Sequence, residues 1–248
     1  MTTADEPADR PGDRPVNAAA EPSPRLQAAL HYAAAGIPVL ATHFPIPVRP
    51  RTAGDRAALA CSCENPACPT PARHPIWTVS ADDATIDAAE LVRWWVGVPD
   101  AGVATPARTG FGMVELCHRA PVDLIVGWLA MRGIRAGPLI AAGPTYHQFL
   151  VAPAGEGSTF RMVEHGSVLR VGAGGGLVLL PPSRLIDGAW TRWQRPLSAA
   201  GPLPDGDRLF QALQRLPGAV ELAGSVPPEA VKLLSAGGEA LRTPVNLR

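Results

Sequence analysis

The stretch that most constrains this fold is Gly110 to Arg119, GFGMVELCHR. Met113 to Leu116 reads as one buried β-strand that carries Glu115, Cys117 and His118 toward its C-terminal end. A carboxylate in an apolar run is costly unless it coordinates a metal or meets a partner. Glu115 therefore needs an explanation from elsewhere in the chain. A second strand, Tyr146 to Ala152, offers His147, and a third, Leu177 to Leu180, follows a Gly-rich turn. If the three strands are neighbours, Glu115, Cys117 and His147 converge.

The flanking pattern alternates helices and strands. Met1 to about Ser23 is polar, rich in Pro and Asp and without apolar periodicity, the signature of a disordered tail. Ser23 and Pro24 predict a helix to Ala35, stopped by Gly36 and followed by a buried strand, Ile37 to Ala41. His43 to Ala60 holds Pro45, Pro47 and Pro50 and reads as loop. Asp87 or Thr85 caps a helix over Ala88 to Val96, with Leu91, Trp94 and Trp95 turned inward at helical spacing. Gly102 to Thr105 is a short strand. Pro121 to Arg132 is a helix ended by Gly133. Leu139 to Ala142 and Tyr146 to Ala152 form a hairpin across Gly143-Pro144, with His147, Phe149 and Val151 on one face. Strands are expected at Val168 to Val171, Leu177 to Leu180 and Trp190 to Trp193, and helices at Asp207 to Leu216 and Pro227 to Ser235. The reading is a single α/β or α+β domain over residues 24–216, with a C-terminal helix and tail over 217–248.

Charge and targeting narrow the function classes. The formal net charge is zero, so any nucleic-acid binding rests on a local patch and not on the whole surface. Of the 22 basic residues only Lys232 is lysine, a bias that fits a GC-rich genome better than a set of phosphate forks. No secretory h-region and no apolar run of membrane-spanning length is visible. A cytoplasmic, reducing location is expected, and the four cysteines are not read as disulfides.

Cys61, Cys63, Cys68 and His74 are spaced C-x-C-x4-C-x5-H within a loop at 61–75. Three thiolates and an imidazole suit a tetrahedral structural Zn²⁺ with every position filled by protein. Pro66, Pro69 and Pro71 restrict the unfolded loop and lower the entropy cost of closing it. The alternative is an exposed loop with incidental cysteines. Cys117 reads as a small buried hydrophobe.

In their order, the segments LQAALHYAAAGIPVLA, CSCENPACPTPARHP, the Trp-Trp helix with its PDAGVAT exit, FGMVEL, TYHQFLVAP and GGGLVLLPPSR resemble the bifunctional DNA primase/polymerase (Prim-Pol) family of the archaeo-eukaryotic primase superfamily. The likeness covers about Leu26 to Pro196 and extends to short actinobacterial stand-alone members with a comparable Cys/His loop. It implies a primase-polymerase fold, with an RRM-like mixed sheet flanked by helices and a zinc-binding loop insertion. It also implies a carboxylate pair, a strand histidine and a third acid that hold Mg²⁺ or Mn²⁺ against a triphosphate. By that resemblance the pair falls on Glu115 and Cys117, the histidine on His147 and the third acid on Arg170. A thiol replaces one hard oxygen donor and an arginine another.

Three functions follow as expectations. The first is a Prim-Pol-like protein with a degenerate metal site, binding nucleotide or single-stranded nucleic acid with weak or no polymerase activity. The second is an active metal-dependent primase/polymerase, and the third a zinc-stabilised protein-interaction module. Glu115 is either a remnant metal ligand or a strand-end carboxylate paired with an arginine. His147 is either a site residue or a structural histidine. Arg170, Ser183 and Arg184 are candidate nucleotide contacts, the last two just after a strand end. The run Arg49, Arg51, Arg56 and Arg73 near the Cys/His loop reads as a solvated basic loop, with contact to a nucleic-acid backbone as the alternative. Trp94, Trp95, Trp128 and Trp190 read as core.

Overall fold

The computed structural model describes residues 22–48, 58–76, 80–107, 112–143, 145–152, 161–162, 168–171, 176–199 and 201–226. The tail at 1–21, the helix expected at 227–235, the glycine turn at 172–175, and Arg49, Arg51 and Arg56 lie outside the described residues. Helix α1 (Pro24–Ala34) starts as its sequence predicts, with Ser23 Oγ accepting from the Leu26 N–H at 3.2 Å. It buries Leu26, Ala29, Tyr32 and Ala33. Strand β1 (Leu40–Thr42) follows. Where a loop is expected, β2 (Pro45–Val48) and β3 (Ala58–Cys61) pair as an antiparallel hairpin. Helix α2 (Ala88–Gly97) is capped by Asp87, whose carboxylate accepts from Ala89 N–H at 2.8 Å. Leu91, Trp94 and Trp95 are its buried face.

Strands β4 (Gly102–Pro106) and β5 (Gly112–Cys117) come next, then α3 (Val122–Ala130), β6 (Leu139–Ala142) and β7 (Tyr146–Val151). The second half continues with β8 (Arg161–Met162), β9 (Val168–Val171), β10 (Leu177–Leu180) and β11 (Thr191–Arg195). Helices α4 (Gly206–Leu213) and α5 (Ala219–Ser225) close the described chain. Three sheets result: β1-β4-β10, β11-β6-β7-β5-β9-β8, and the β2-β3 hairpin. Every ladder among the described residues is antiparallel, so strand direction is not mixed and the α+β form of the expectation is the one realised. Among them no helix is long and apolar enough to cross a membrane.

Two cores sit on opposite faces of the six-stranded sheet. Val114, Leu116, Leu139, Phe149 and Val151 pack under α3, α4 and α5. Met113, Ile140, Ala142 and Leu150 instead join the first sheet with α1 and α2. Period-2 alternation along β5 decides this, because neighbouring residues on a strand point to opposite faces. Leu222 and Val226 belong to the second core, so packing continues past residue 216.

Two expectations are corrected here. Strand β10 pairs with β4 and not with the strand that carries Glu115; that strand's neighbours are β7 and β9. Trp190 is 48% exposed, with Arg25 and Arg184 lying over its ring at 5.0 and 5.8 Å. It stands at the turn just before the edge strand β11. Trp94, Trp95 and Trp128 are core, as read.

Candidate functional site

Cys61 is the last residue of β3, so the hairpin delivers the first thiol of the Cys/His loop. The loop is tied back to the start of β2 by His43 N–H to His74 O at 2.9 Å and Ser62 N–H to Phe44 O at 2.9 Å. Two tight turns, with Glu64 and Ala72 at φ 60° and 58°, fold the intervening chain. They bring the donor atoms of Cys61, Cys63, Cys68 and His74 within 4.8 Å of one another. His74 Nε2 lies 3.4 Å from both Cys61 Sγ and Cys68 Sγ. Zinc–donor bonds of about 2.3 Å to sulfur and about 2.0 Å to nitrogen at tetrahedral angles require separations of roughly 3.5 Å, so the spacing fits. The Ala72 N–H donates to Cys61 Sγ at 3.3 Å. A backbone hydrogen bond at Asn65 lowers the Cys63 thiol, while burial pushes that of Cys68 up to about 11. The His43 ring lies against His74 at 4.3 Å, and its Nδ1 meets Ser62 Oγ at 2.9 Å. These four side chains can hold a metal ion.

The same loop supplies the partner of Glu115. Arg73, one residue before His74, sets its guanidinium fork on the carboxylate: Nη1 to Oε1 at 3.1 Å and Nη2 to Oε2 at 2.8 Å. Its Nη2 also donates to Tyr146 Oη, and Gln148 Nε2 donates to the same oxygen at 2.9 Å. The Glu115 side chain is 8% exposed and that of Arg73 30%. Burial, and then the Glu115 charge, hold the Tyr146 phenol well above its ordinary range, so it stays a neutral hydroxyl. Burial followed by the Glu115 charge also raises the Cys117 thiol, which sits at the exposed end of β5 and so is not the buried hydrophobe expected. One carboxylate, one guanidinium, a phenol and an amide thus form a connected polar cluster at the C-terminal end of β5. Of the two readings of Glu115, the arginine-paired carboxylate is the arrangement present.

The expected convergence on His147 does not occur. The register pairs Glu115 with Gln148, Leu116 with His147 and Cys117 with Tyr146. Directly opposed residues share a face, so Tyr146 and Gln148 accompany Glu115, while His147 goes with Phe149 and Val151 to the helix-covered side. There it is 3% exposed, and among the described residues neither ring nitrogen makes a hydrogen bond of good geometry, although the His118 backbone lies near enough to act on the ring. The clue was in the strand itself: a histidine sharing a face with two core residues points into that core. His118 holds the start of α5, its Nε2 lying 3.0 Å from Pro217 O.

Arg170 pairs with Val114 in the ladder, while Leu169 is the residue opposite Glu115; the Arg170 side chain lies outside the described atoms. Ser183 is 1% exposed, accepts from Val103 N–H at 2.8 Å and lies 2.7 Å from Leu180 O, which makes it a strut between β4 and β10. Arg184 donates from Nε to Gly188 O at 3.1 Å and closes the turn before β11. The sequence reading missed the site roles of Arg73 and Tyr146. Arg73 was grouped with solvated arginines, although its place beside a loop ligand was visible.

No curated protein and no solved structure matches the chain. The family described as bifunctional DNA primase/polymerase, N-terminal, matches residues 29–206, from α1 to the first residue of α4. That span takes in all three sheets, the Cys/His loop and the Glu115 cluster. By this match over most of its length, the chain belongs to the bifunctional DNA primase/polymerase (Prim-Pol) N-terminal family.

Proposed function

We propose that this Prim-Pol chain binds nucleotide or single-stranded nucleic acid but has weak or no templated polymerase activity, because its metal-ion strand is internally neutralised. The observation that carries the reading is the Arg73 fork on Glu115. A two-ion site needs several hard oxygen donors in an open pocket. Among the described residues the cluster offers one carboxylate, already engaged, with a thiol at Cys117, a phenol and an amide. At an effective dielectric of 20, two unit charges about 4 Å apart interact by about 4 kcal/mol, and a dication beside a guanidinium doubles that in repulsion. The residues therefore do not fit a pair of Mg²⁺ or Mn²⁺ ions. The ion proposed for the Cys/His loop is a structural Zn²⁺, since three thiolates and an imidazole leave no open coordination position. With thiols in that role, a reducing, cytoplasmic compartment is the setting proposed.

The test is extension of a labelled primer on a template by purified protein with Mn²⁺ or Mg²⁺ and nucleoside triphosphates. The expected result is no templated product. Extension that is lost in Glu115→Ala would overturn the reading and make the protein a working polymerase. Binding is checked by titrating single-stranded DNA at several salt concentrations. An affinity that falls with salt marks phosphate contacts from a local basic patch.

A further inference from the structure

The residues that would grip a metal and the residue that covers Glu115 are adjacent in the chain. Ala72 gives its N–H to Cys61 Sγ, Arg73 reaches Glu115 and Tyr146, and His74 presents Nε2 to two of the thiols. Ala72 and Arg73 lie in one turn, closed by Arg73 N–H to Thr70 O at 3.0 Å, and His74 follows directly. Apolar burial does little to hold this turn. From the loop, Cys61, Ala72 and Ile76 are the buried hydrophobic residues. Backbone hydrogen bonds tie His74 to His43 and Ile76 to Ala41, and cross-linking by a metal would add a further restraint on the turn that carries Arg73. Glu115, for its part, is a buried carboxylate that requires a cation. Two further ion pairs, Arg25–Asp100 and Arg93–Glu90, have carboxylates that are 68% and 34% exposed.

We propose that the Cys/His loop is a metal-set latch: metal at Cys61, Cys63, Cys68 and His74 fixes Arg73 on Glu115 and Tyr146, so that metal occupancy and closure of the carboxylate site form one linked equilibrium. Linkage is reciprocal in free energy: whatever the metal adds to the clasp, the clasp adds to metal affinity. The proposal rests on the pairing and not on loss of polymerase activity, so it stands or falls separately from the function proposed above.

The experiment measures Zn²⁺ affinity of the full chain by competition with a chromophoric chelator. The proteins are wild type, Arg73→Gln, Glu115→Gln and the double variant. Each single substitution is expected to weaken Zn²⁺ binding about tenfold, within the usual range for coupled sites, and the double variant to be no weaker than the worse single. Asp100→Asn, at a pair remote from the loop, is expected to leave affinity unchanged. Tyr146→Phe, which keeps the carboxylate paired, should show a smaller loss of the same sign and provides a reading should Glu115→Gln fail to fold. A change of less than threefold in both single variants, losses that multiply in the double variant, or failure of the wild type to take up stoichiometric Zn²⁺ would each overturn the latch.

Discussion

At Ser183 a single oxygen joins two strands. It accepts the Val103 N–H and can give its proton to Leu180 O or Val103 O, at 2.7 and 2.9 Å, with no solvent to replace any partner. Ser183→Ala leaves a buried N–H unpaired and is expected to cost about 1–3 kcal/mol, read as a lower urea midpoint with unchanged slope. His147 makes a different demand on its surroundings. Burial pushes its imidazole below the ordinary 6.5, so as pH falls through 6.5 the unfolded chain takes up a proton that the folded chain resists. The unfolded state then binds more protons, and stability falls with pH by at most about 1.4 kcal/mol per unit for this group. His43 is shifted the same way, by burial and then the His74 charge, so wild type alone does not isolate His147. His147→Gln should lose less stability than wild type between about pH 7.5 and about pH 5.5, measured by urea unfolding. Equal losses would assign the acid sensitivity elsewhere.

Among the elements, α5 has seven residues and one strongly apolar anchor, Leu222, which is fully buried. Leu222→Ala is expected to destabilise the whole domain by about 2–5 kcal/mol, seen as a single cooperative shift in thermal unfolding. A separate early transition would instead make the C-terminal helix an appendage. Its shortness and weak pattern also explain why the sequence did not reveal it, whereas α1 and α2 could be read from their caps and α3 from its apolar spacing. The β2-β3 hairpin was hidden for another reason. Pro45 and Pro47 lack the N–H that a strand interior uses, which argues for loop; a two-stranded hairpin tolerates them because their missing donors face its open edge. The β6-β7 hairpin was legible because its turn is local. The separation of β10 from β5 was not, because which strand lies beside which is decided by packing across the chain.

Across the whole molecule, the Cys/His loop is fastened mainly to the strands around it and meets the first core at Ile76. It reaches β1 through Ile76 N–H to Ala41 O at 3.2 Å and a bridge between Thr42 and Pro75, and β5 and β7 through Arg73. The Cys/His spacing made a cluster able to hold a metal readable from sequence alone, and the apolar run around Glu115 marked a buried charge. Their connection was not readable, since Arg73 and Glu115 stand 42 positions apart and no periodicity relates them. From this placement, metal removal should loosen the loop locally and leave the cores folded. Trypsin offers a direct reading, because Arg73 is itself a cleavage point and its guanidinium is pinned in the described state. With Zn²⁺ present, cleavage after Arg73 should be slow. After chelation under reducing conditions, a fragment beginning at His74 should accumulate at least several-fold faster, while circular dichroism retains the helical signal. Loss of that signal on chelation would mean that the metal supports the entire fold. Cleavage at the same rate with and without Zn²⁺ would mean that Arg73 is held by Glu115 and Tyr146 without help from the loop.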